Sequence, residues 1–179
     1  MNRPIQSLHT AYTQFFRTLT TLFGGSLLPL LARLTLAGVF WRSLLTKVET
    51  FGVFNYTEYI NDFAIERSHV KLPVLPLELK AATLHQFAAE FALPLLPASA
   101  AAWMATIGEF ILPILLLLGL MTRFAALGLI VMTLVIQFFV YPEAWWGSHA
   151  LWMVMAGYLV VNGPGRLSID HTLGNRFAA

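Results

Sequence analysis

The 179-residue chain contains no cysteine and few charged residues. The absence of cysteine excludes disulfide bonds, thiolate metal sites and dithiol redox chemistry carried by the chain itself. Charged residues make up 11% of the sequence and hydrophobic residues 58%, whereas soluble domains carry roughly 25% charged residues. Because so few charges cannot cover a water-facing surface, the composition predicts an integral membrane protein. The net charge of +2 is small and dispersed, which argues against a nucleic-acid partner.

Four apolar segments are each close to the ~20 residues that a helix needs to cross a bilayer. They are residues 26–48, 100–120, 124–141 and 145–161. The second and third segments are separated only by the turn Met121-Thr122-Arg123, so they are expected to form an antiparallel hairpin. We therefore predict an all-α fold, an integral membrane four-helix bundle within a domain over residues 26–174.

The segments outside these spans have amphipathic patterns. Residues 1–25 carry apolar side chains at helical spacing and are predicted to form an interfacial amphipathic helix that Gly24-Gly25 breaks. The outer loop, residues 49–99, is predicted to be partly helical, with amphipathic helices at residues 55–67 and 77–93. These helices are expected either to cover the outer mouth of the bundle or to rest on the lipid headgroups.

Basic residues near the ends of the spans predict the orientation of the chain. If both termini are cytoplasmic, one side of the membrane carries Arg3, Arg17, Arg123, Arg166 and Arg176. The other side then carries the long loop and the turn at Glu143, which are richer in acidic residues. We therefore predict a multi-pass protein with both termini in the cytoplasm.

Glu109 lies within the second span, where inserting a carboxylate costs about 2.5–3.5 kcal/mol. Such a residue faces a bundle interior or a wet cavity and has a partner. Arg42, Gln137 and His149 fall at a similar depth, below the outer mouth. These four residues are predicted to form a polar pocket in which Glu109 pairs with Arg42. Arg33 and Arg42 lie about 180° apart around the first helix, so one should face the interior while the other reaches the interface.

The same polar residues allow two interpretations. A buried Arg–Glu pair can simply fix the register of two spans, or it can belong to a pocket for a quinone headgroup, another small molecule or a proton. No metal site is predicted, because the spacing of the candidate ligands matches no metal motif. Those candidates are His85, Glu90, Glu109 and His149.

A set of short motifs extends through the second half of the chain. They are FAAEFALPLLP at 87–97, Glu109 with Pro113, LGLMTR at 118–123, QFFVYP at 137–142, His149 with Trp152, and GPGRLSID at 163–170. Together they resemble the DoxX family, small bacterial inner-membrane proteins with four spans. Arg33, Gly38, Phe40 and Lys47 resemble the first-span pattern of that family. The resemblance covers about residues 26–174, and residues 55–80 look like an insertion.

The resemblance implies two functional hypotheses and identifies no reaction by itself. Some DoxX-like proteins are subunits of quinone-reducing sulfur oxidation complexes or of oxidoreductase assemblies linked to oxidative stress. The first hypothesis is an accessory subunit of a membrane redox system, which binds a quinone and carries no cofactor of its own. The second is a non-enzymatic membrane anchor or assembly partner whose intramembrane charges are structural. The expected partners are the lipid bilayer and either another protein or further copies of the chain.

Overall fold

The computed structural model describes residues 3–60, 63–91, 93, 94 and 96–177. Its helices are α1 (Arg3–Leu19), α2 (Leu28–Lys47), α3 (Ala81–Ala89), α4 (Ala98–Leu118), α5 (Thr122–Phe139), α6 (Ala150–Asn162) and α7 (Ile169–Phe177). Two strands, β1 (Thr50–Ile60) and β2 (Phe63–Pro73), follow α2. Shorter helical segments are Thr20–Leu27 and Trp145–His149, both π-helical, and the 3-10 turn Pro142–Ala144. The described part of the chain is mostly helical and includes a small two-stranded sheet.

Four helices pack around a common apolar core. Contacts run in a ring from α2 to α4, α5, α6 and back to α2. The large buried side chains at the centre are Leu36, Phe40, Leu116, Leu129 and Leu159. Buried alanines on the same helices lie between them and let the backbones approach closely.

Three helical runs in the described residues are long and apolar enough to cross a membrane. They are Tyr12–Lys47, Ala98–Leu118 and Thr122–Phe139. These runs support an integral membrane protein and overlap the first three predicted spans, each of which extends one or two residues further. The predicted fourth span, residues 145–161, is divided between the second π-helical segment and α6. The 13 residues of α6 rise about 20 Å, less than the roughly 30 Å of a bilayer core.

The predicted break at Gly24-Gly25 is wrong, because the N-terminal helix continues through both glycines into α2. Both glycines lie in the first π-helical segment. The carbonyl oxygen of Gly24 accepts a hydrogen bond from Tyr158 Oη at 3.2 Å, and that of Gly25 accepts one from the Arg166 backbone N–H at 3.0 Å. Donors from the segments around Tyr158 and Arg166 thus bind the carbonyl oxygens of both glycines. These contacts help to hold the glycine pair in a helical conformation. An interfacial position for residues 1–25 stays a prediction; Met1, Asn2 and the side chains of Arg3 and Arg176 lie outside the described residues.

The predicted helix over residues 55–67 is wrong, because this stretch lies in an antiparallel β-hairpin. The strand register pairs Thr57 with Glu66, and the rings of Tyr56 and His69 stack across the strands at 4.4 Å. The segment is rich in aromatic and β-branched residues, which fit a pleated surface better than a helix. The mostly helical structure agrees with the all-α prediction, to which this small two-stranded sheet is an addition.

The chain after the hairpin caps the end of α2. Lys80 Nζ donates to the carbonyl oxygens of Leu45 and Thr46, each at 3.2 Å. Thr83 Oγ1 donates to the carbonyl oxygen of Lys47 at 2.8 Å. The last carbonyls of a helix have no partner within it. The loop therefore stabilises the helix end that carries Lys47.

The second loop helix is present but shorter than predicted. α3 lies inside the predicted range of residues 77–93 and packs against α4. Its buried residues are Thr83 and Phe87, whereas the apolar residues Leu84 and Ala88 are exposed. The helix therefore rests on the bundle through one turn of side chains.

Candidate functional site

Glu109 is buried on a face of α4 that packs against the bundle. Buried positions on this helix recur every three or four residues, at Ala102, Thr106, Glu109, Pro113 and Leu116. That spacing places them along one helical face. Only 2% of the Glu109 surface is exposed. The carboxylate is therefore held between helices, as its insertion cost predicts.

Two polar residues of α2 contact the Glu109 carboxylate. Ser43 Oγ donates to Glu109 Oε1 at 2.8 Å, and Lys47 Nζ lies 2.9 Å from both Oε1 and Oε2. Lys47 Nζ also donates to Ser43 Oγ at 2.7 Å. Among the described residues, Oε2 receives no well-aligned hydrogen bond. These three side chains, which we call the Glu109 cluster, join α2 to α4.

The predicted ion pair between Arg42 and Glu109 is not formed, because Lys47 supplies the cation. Phe40 and Leu44 are buried in the core, and Arg42 is about 200° away from each of them around the helix at 100° per residue. Arg42 is accordingly exposed. The Cα–Cβ bonds of a helix tilt toward its N-terminus. The side chain of Lys47 can therefore reach back from the end of α2 to the level of Glu109.

Gln137 and His149 form a second polar contact, between α5 and the π-helical segment before α6. His149 Nδ1 lies 2.6 Å from Gln137 Oε1, and Gln137 Nε2 donates to the carbonyl oxygen of Pro142 at 2.7 Å. An amide oxygen only accepts hydrogen bonds, so His149 carries a proton on Nδ1 in this contact. The imidazole is buried, and its centroid lies 4.9 Å from the ring of Trp152.

The four predicted pocket residues therefore occupy different environments. Arg42 is exposed, Glu109 belongs to a cluster with Ser43 and Lys47, and Gln137 and His149 contact each other. No hydrogen bond or ion pair between described residues joins the Glu109 cluster to the Gln137–His149 contact. A common ligand pocket stays a prediction. Within the described residues, no three His, Asp or Glu side chains lie close enough together to hold a metal ion.

Arg33 is buried at the opposite end of α2. Its guanidinium donates four hydrogen bonds to backbone carbonyls, of Leu116 (2.7 Å), Leu117 (2.9 Å), Pro164 (3.2 Å) and Leu167 (2.6 Å). The first two carbonyls belong to the last turn of α4, where carbonyl oxygens lack the regular hydrogen bonds of the helix interior. Arg33 therefore joins α2 to the end of α4 and to the segment after α6. The expectation that Arg33 and Arg42 point in opposite directions is confirmed.

Asp170 organises the turn between α4 and α5 at the same end. Its carboxylate oxygens accept hydrogen bonds from the backbone N–H groups of Met121 (2.8 Å) and Thr122 (2.9 Å). A carboxylate is favourable at this position because the N-terminus of a helix is partially positive. Gly119 has φ +65°, and a Cβ there would lie 2.6 Å from Arg33 Nη2. The LGLMTR motif thus forms the turn between α4 and α5, and the GPGRLSID motif supplies the carboxylate that binds it.

Comparison with known families identifies one matching family model. A family model described as DoxX matches residues 28–142, more than half of the chain. The chain belongs to the DoxX family. The match confirms the resemblance of the sequence motifs and includes Arg33, the Glu109 cluster and Gln137. His149 and the GPGRLSID segment lie beyond the matched range. No curated protein and no solved structure matches the DoxX chain at a significant level.

Proposed function

We propose that this DoxX protein is a non-enzymatic membrane anchor or assembly partner whose intramembrane charges fix the register of its helices. The observation that carries the proposal is the Glu109 cluster. Its carboxylate is 2% exposed and lies 2.9 Å from the Lys47 ammonium. A charge that is paired and packed between two helices already has the partner that a charge in a membrane requires. It needs no ligand to be accommodated there.

The other buried polar groups support the same interpretation. The Arg33 guanidinium is bound by four backbone carbonyls, and the Gln137 amide contacts both His149 and the carbonyl of Pro142. Side chains with several protein partners are typical of contacts that hold a fold together. Each of these contacts also joins separate elements of the bundle.

A double-mutant cycle tests the structural role of the cluster. Lys47→Met should be the more damaging single change, because it leaves a buried carboxylate unpaired, at a cost of about 3–5 kcal/mol. Glu109→Gln should cost less, because the remaining Lys47 ammonium is 14% exposed and can reach water. The double variant Lys47→Met/Glu109→Gln should recover most of the stability. The measurement is the free energy of unfolding in mixed detergent micelles.

The anchoring role needs a measurement in cells. Removing the chain should lower the membrane-bound amount of its partner proteins, measured by quantitative membrane proteomics. The double variant should restore those amounts, because it removes both charges and is expected to fold. A folded and abundant double variant that fails to restore them would contradict the anchor proposal and favour a chemical role for the pair.

An accessory redox subunit with a quinone pocket is the second candidate. It is favoured by Glu109 Oε2, a buried acceptor without a well-aligned hydrogen bond from described residues, and by the partial exposure of Lys47. Under this proposal the purified protein retains quinone or binds a short-chain ubiquinone, with quenching of tryptophan fluorescence. Glu109→Gln should abolish that binding in folded protein. Neither retention nor binding of quinone would contradict this candidate.

The proposal includes a four-span topology in a bacterial inner membrane with both termini cytoplasmic. The second π-helical segment has 5 residues and α6 has 13. As one continuous helical run they rise about 27 Å, close to the roughly 30 Å of a bilayer core. A protein partner or further copies of the chain would complete the assembly.

A further inference from the structure

An open groove of about 650 Å³ lies at the end of the bundle where α5 begins and α6 ends. Its lining includes Arg123 of α5, Arg166 of the segment after α6, and one acidic residue, Asp170. The groove is separate from the Glu109 cluster, none of whose residues contributes to it. It therefore needs an explanation of its own.

The two arginines keep most of their hydrogen-bond donors available. Both are exposed. Arg123 Nη2 makes one long contact, 3.5 Å from the carbonyl oxygen of Val161. Arg166 is held by its backbone N–H, which donates to Gly25, and no side-chain hydrogen bond fixes its guanidinium among the described residues. Each guanidinium has five donors in a planar fork, which suits the oxygens of a phosphate group.

The acidic residue offsets only part of this positive charge, because the lining contains two guanidinium groups and one carboxylate. Both oxygens of Asp170 already accept backbone N–H groups, from Met121 and Thr122. The carboxylate is thereby directed at the start of α5. The lining therefore keeps a net positive charge that can attract an anion.

Exposed apolar side chains in the groove lining indicate the source of that anion. Met121 is 52% exposed and Phe124 is 69% exposed, and both belong to the lining. Phe124 lies in the first turn of α5, and α5 is itself a candidate membrane span. A ligand with an anionic head and an apolar body matches this combination, whereas a free phosphate ion would use only the arginines.

We propose that this groove binds the phosphate of an anionic phospholipid, with Arg123 and Arg166 holding the headgroup and Phe124 contacting the acyl chains. The site is independent of whether the Glu109 cluster is structural or binds a quinone. It also places the arginine-rich end of the bundle at an anionic membrane surface, which attracts arginine side chains.

Lipid titration of the purified full-length chain tests the proposal. The probe is dioleoyl phosphatidylglycerol added to the protein in mild detergent, with dioleoyl phosphatidylcholine as the neutral lipid. Native mass spectrometry counts the lipid that stays bound, and thermal unfolding measures the accompanying stabilisation. Arg123→Gln and Arg166→Gln should each weaken phosphatidylglycerol binding about fivefold, and the double variant more than either.

Arg42→Gln is the matched control, because it removes the same charge from an exposed position away from the groove. It should bind phosphatidylglycerol as the unmodified chain does. Thermal unfolding without lipid separates a folding defect in Arg123→Gln from a binding defect, and Arg166→Gln removes no side-chain hydrogen bond to a described residue.

Three results would overturn the proposal. They are equal binding of the two lipids, equal losses in Arg42→Gln and Arg166→Gln, and stabilisation by inorganic phosphate that matches stabilisation by phosphatidylglycerol.

Discussion

Replacing Arg33 by methionine is expected to destabilise the protein, although methionine is the more apolar residue in an apolar helix. Methionine fills much of the space of the arginine side chain but donates no hydrogen bond. The variant removes the guanidinium donors from four backbone carbonyls, of Leu116, Leu117, Pro164 and Leu167. The end of α4 and the segment after α6 lose their common partner on α2 as a result.

The size of the loss follows from the number and burial of these hydrogen bonds. Polar contacts between helices in a membrane average about 0.6 kcal/mol, so four of them amount to roughly 2.4 kcal/mol. Removing one partner from a buried charged network costs about 3–5 kcal/mol. The carbonyl of Leu116 keeps a second donor, the Gly119 backbone N–H at 3.1 Å, and methionine avoids the cost of burying a charge. We therefore expect a loss of about 2–4 kcal/mol.

The assay is reversible unfolding in mixed micelles of a mild detergent and dodecyl sulfate, followed by tryptophan fluorescence. Arg42→Met is the matched control, since Arg42 is exposed on the same helix, and it should change the free energy of unfolding by no more than about 0.5 kcal/mol. Arg33→Lys should fall between the two, because an ammonium has three donors on a single atom. A loss below about 1 kcal/mol for Arg33→Met, the worth of a single hydrogen bond, would refute the reasoning. Equal losses at both arginines would do the same.

Two further predictions concern the turn between α4 and α5 and the orientation of the chain. Gly119→Ala should lower the free energy of unfolding by at least about 1–2 kcal/mol because of its left-handed backbone, and a Cβ would also lie 2.6 Å from Arg33 Nη2. Gly157→Ala, where a Cβ meets nothing within 4 Å, is the control and should be neutral or stabilising; equal losses would contradict the argument. Because the chain has no cysteine, Thr57→Cys and Thr172→Cys each give a unique label for an impermeant maleimide. The first should react in intact spheroplasts and the second only after lysis, and the reverse result would overturn the predicted topology.

The spans could be predicted because hydropathy is a property of each residue and its near neighbours. The β-hairpin was missed because strand pairing depends on more than near neighbours, since its pairs join residues up to 23 positions apart, Thr50 with Pro73. Residues 55–67 have polar and apolar side chains at spacings compatible with either period. The aromatic and β-branched composition was the available signal, and Asn61-Asp62 between the strands is a sequence typical of tight turns. The length of the outer loop did not distinguish helices that cover the bundle from an extended β-hairpin.

The burial of Glu109 could be predicted, but its partner could not be chosen without the rotation of α2 about its axis. Insertion cost requires a partner for the carboxylate, and both Arg42 and Lys47 are cations near the same end of the helix. The buried positions Phe40 and Leu44 fix the rotation and exclude Arg42 from the interior. Ser43 carries no sequence signal beyond its position four residues before Lys47. The capping roles of Arg33 and Asp170 depend on backbone groups, which are the same in every sequence.

The two charged contacts of α2 with α4 together determine how these helices align. In a bilayer, apolar side chains gain little free energy from contact with another helix, because lipid tails are equally apolar. A slip by one helical turn moves α2 by about 5.4 Å, which would separate Lys47 from Glu109 and Arg33 from the end of α4 at once. Ser43 and Arg33 are ten residues apart, about 15 Å along the helix, so one rotation and one translation satisfy both contacts. A ligand that drew Glu109 away from Lys47 would break the first contact, whereas the contact of Arg33 with the end of α4 would remain.

Binding of a ligand at Glu109 would therefore compete with the ion pair that aligns α2 with α4. For this reason the anchor is the better supported function.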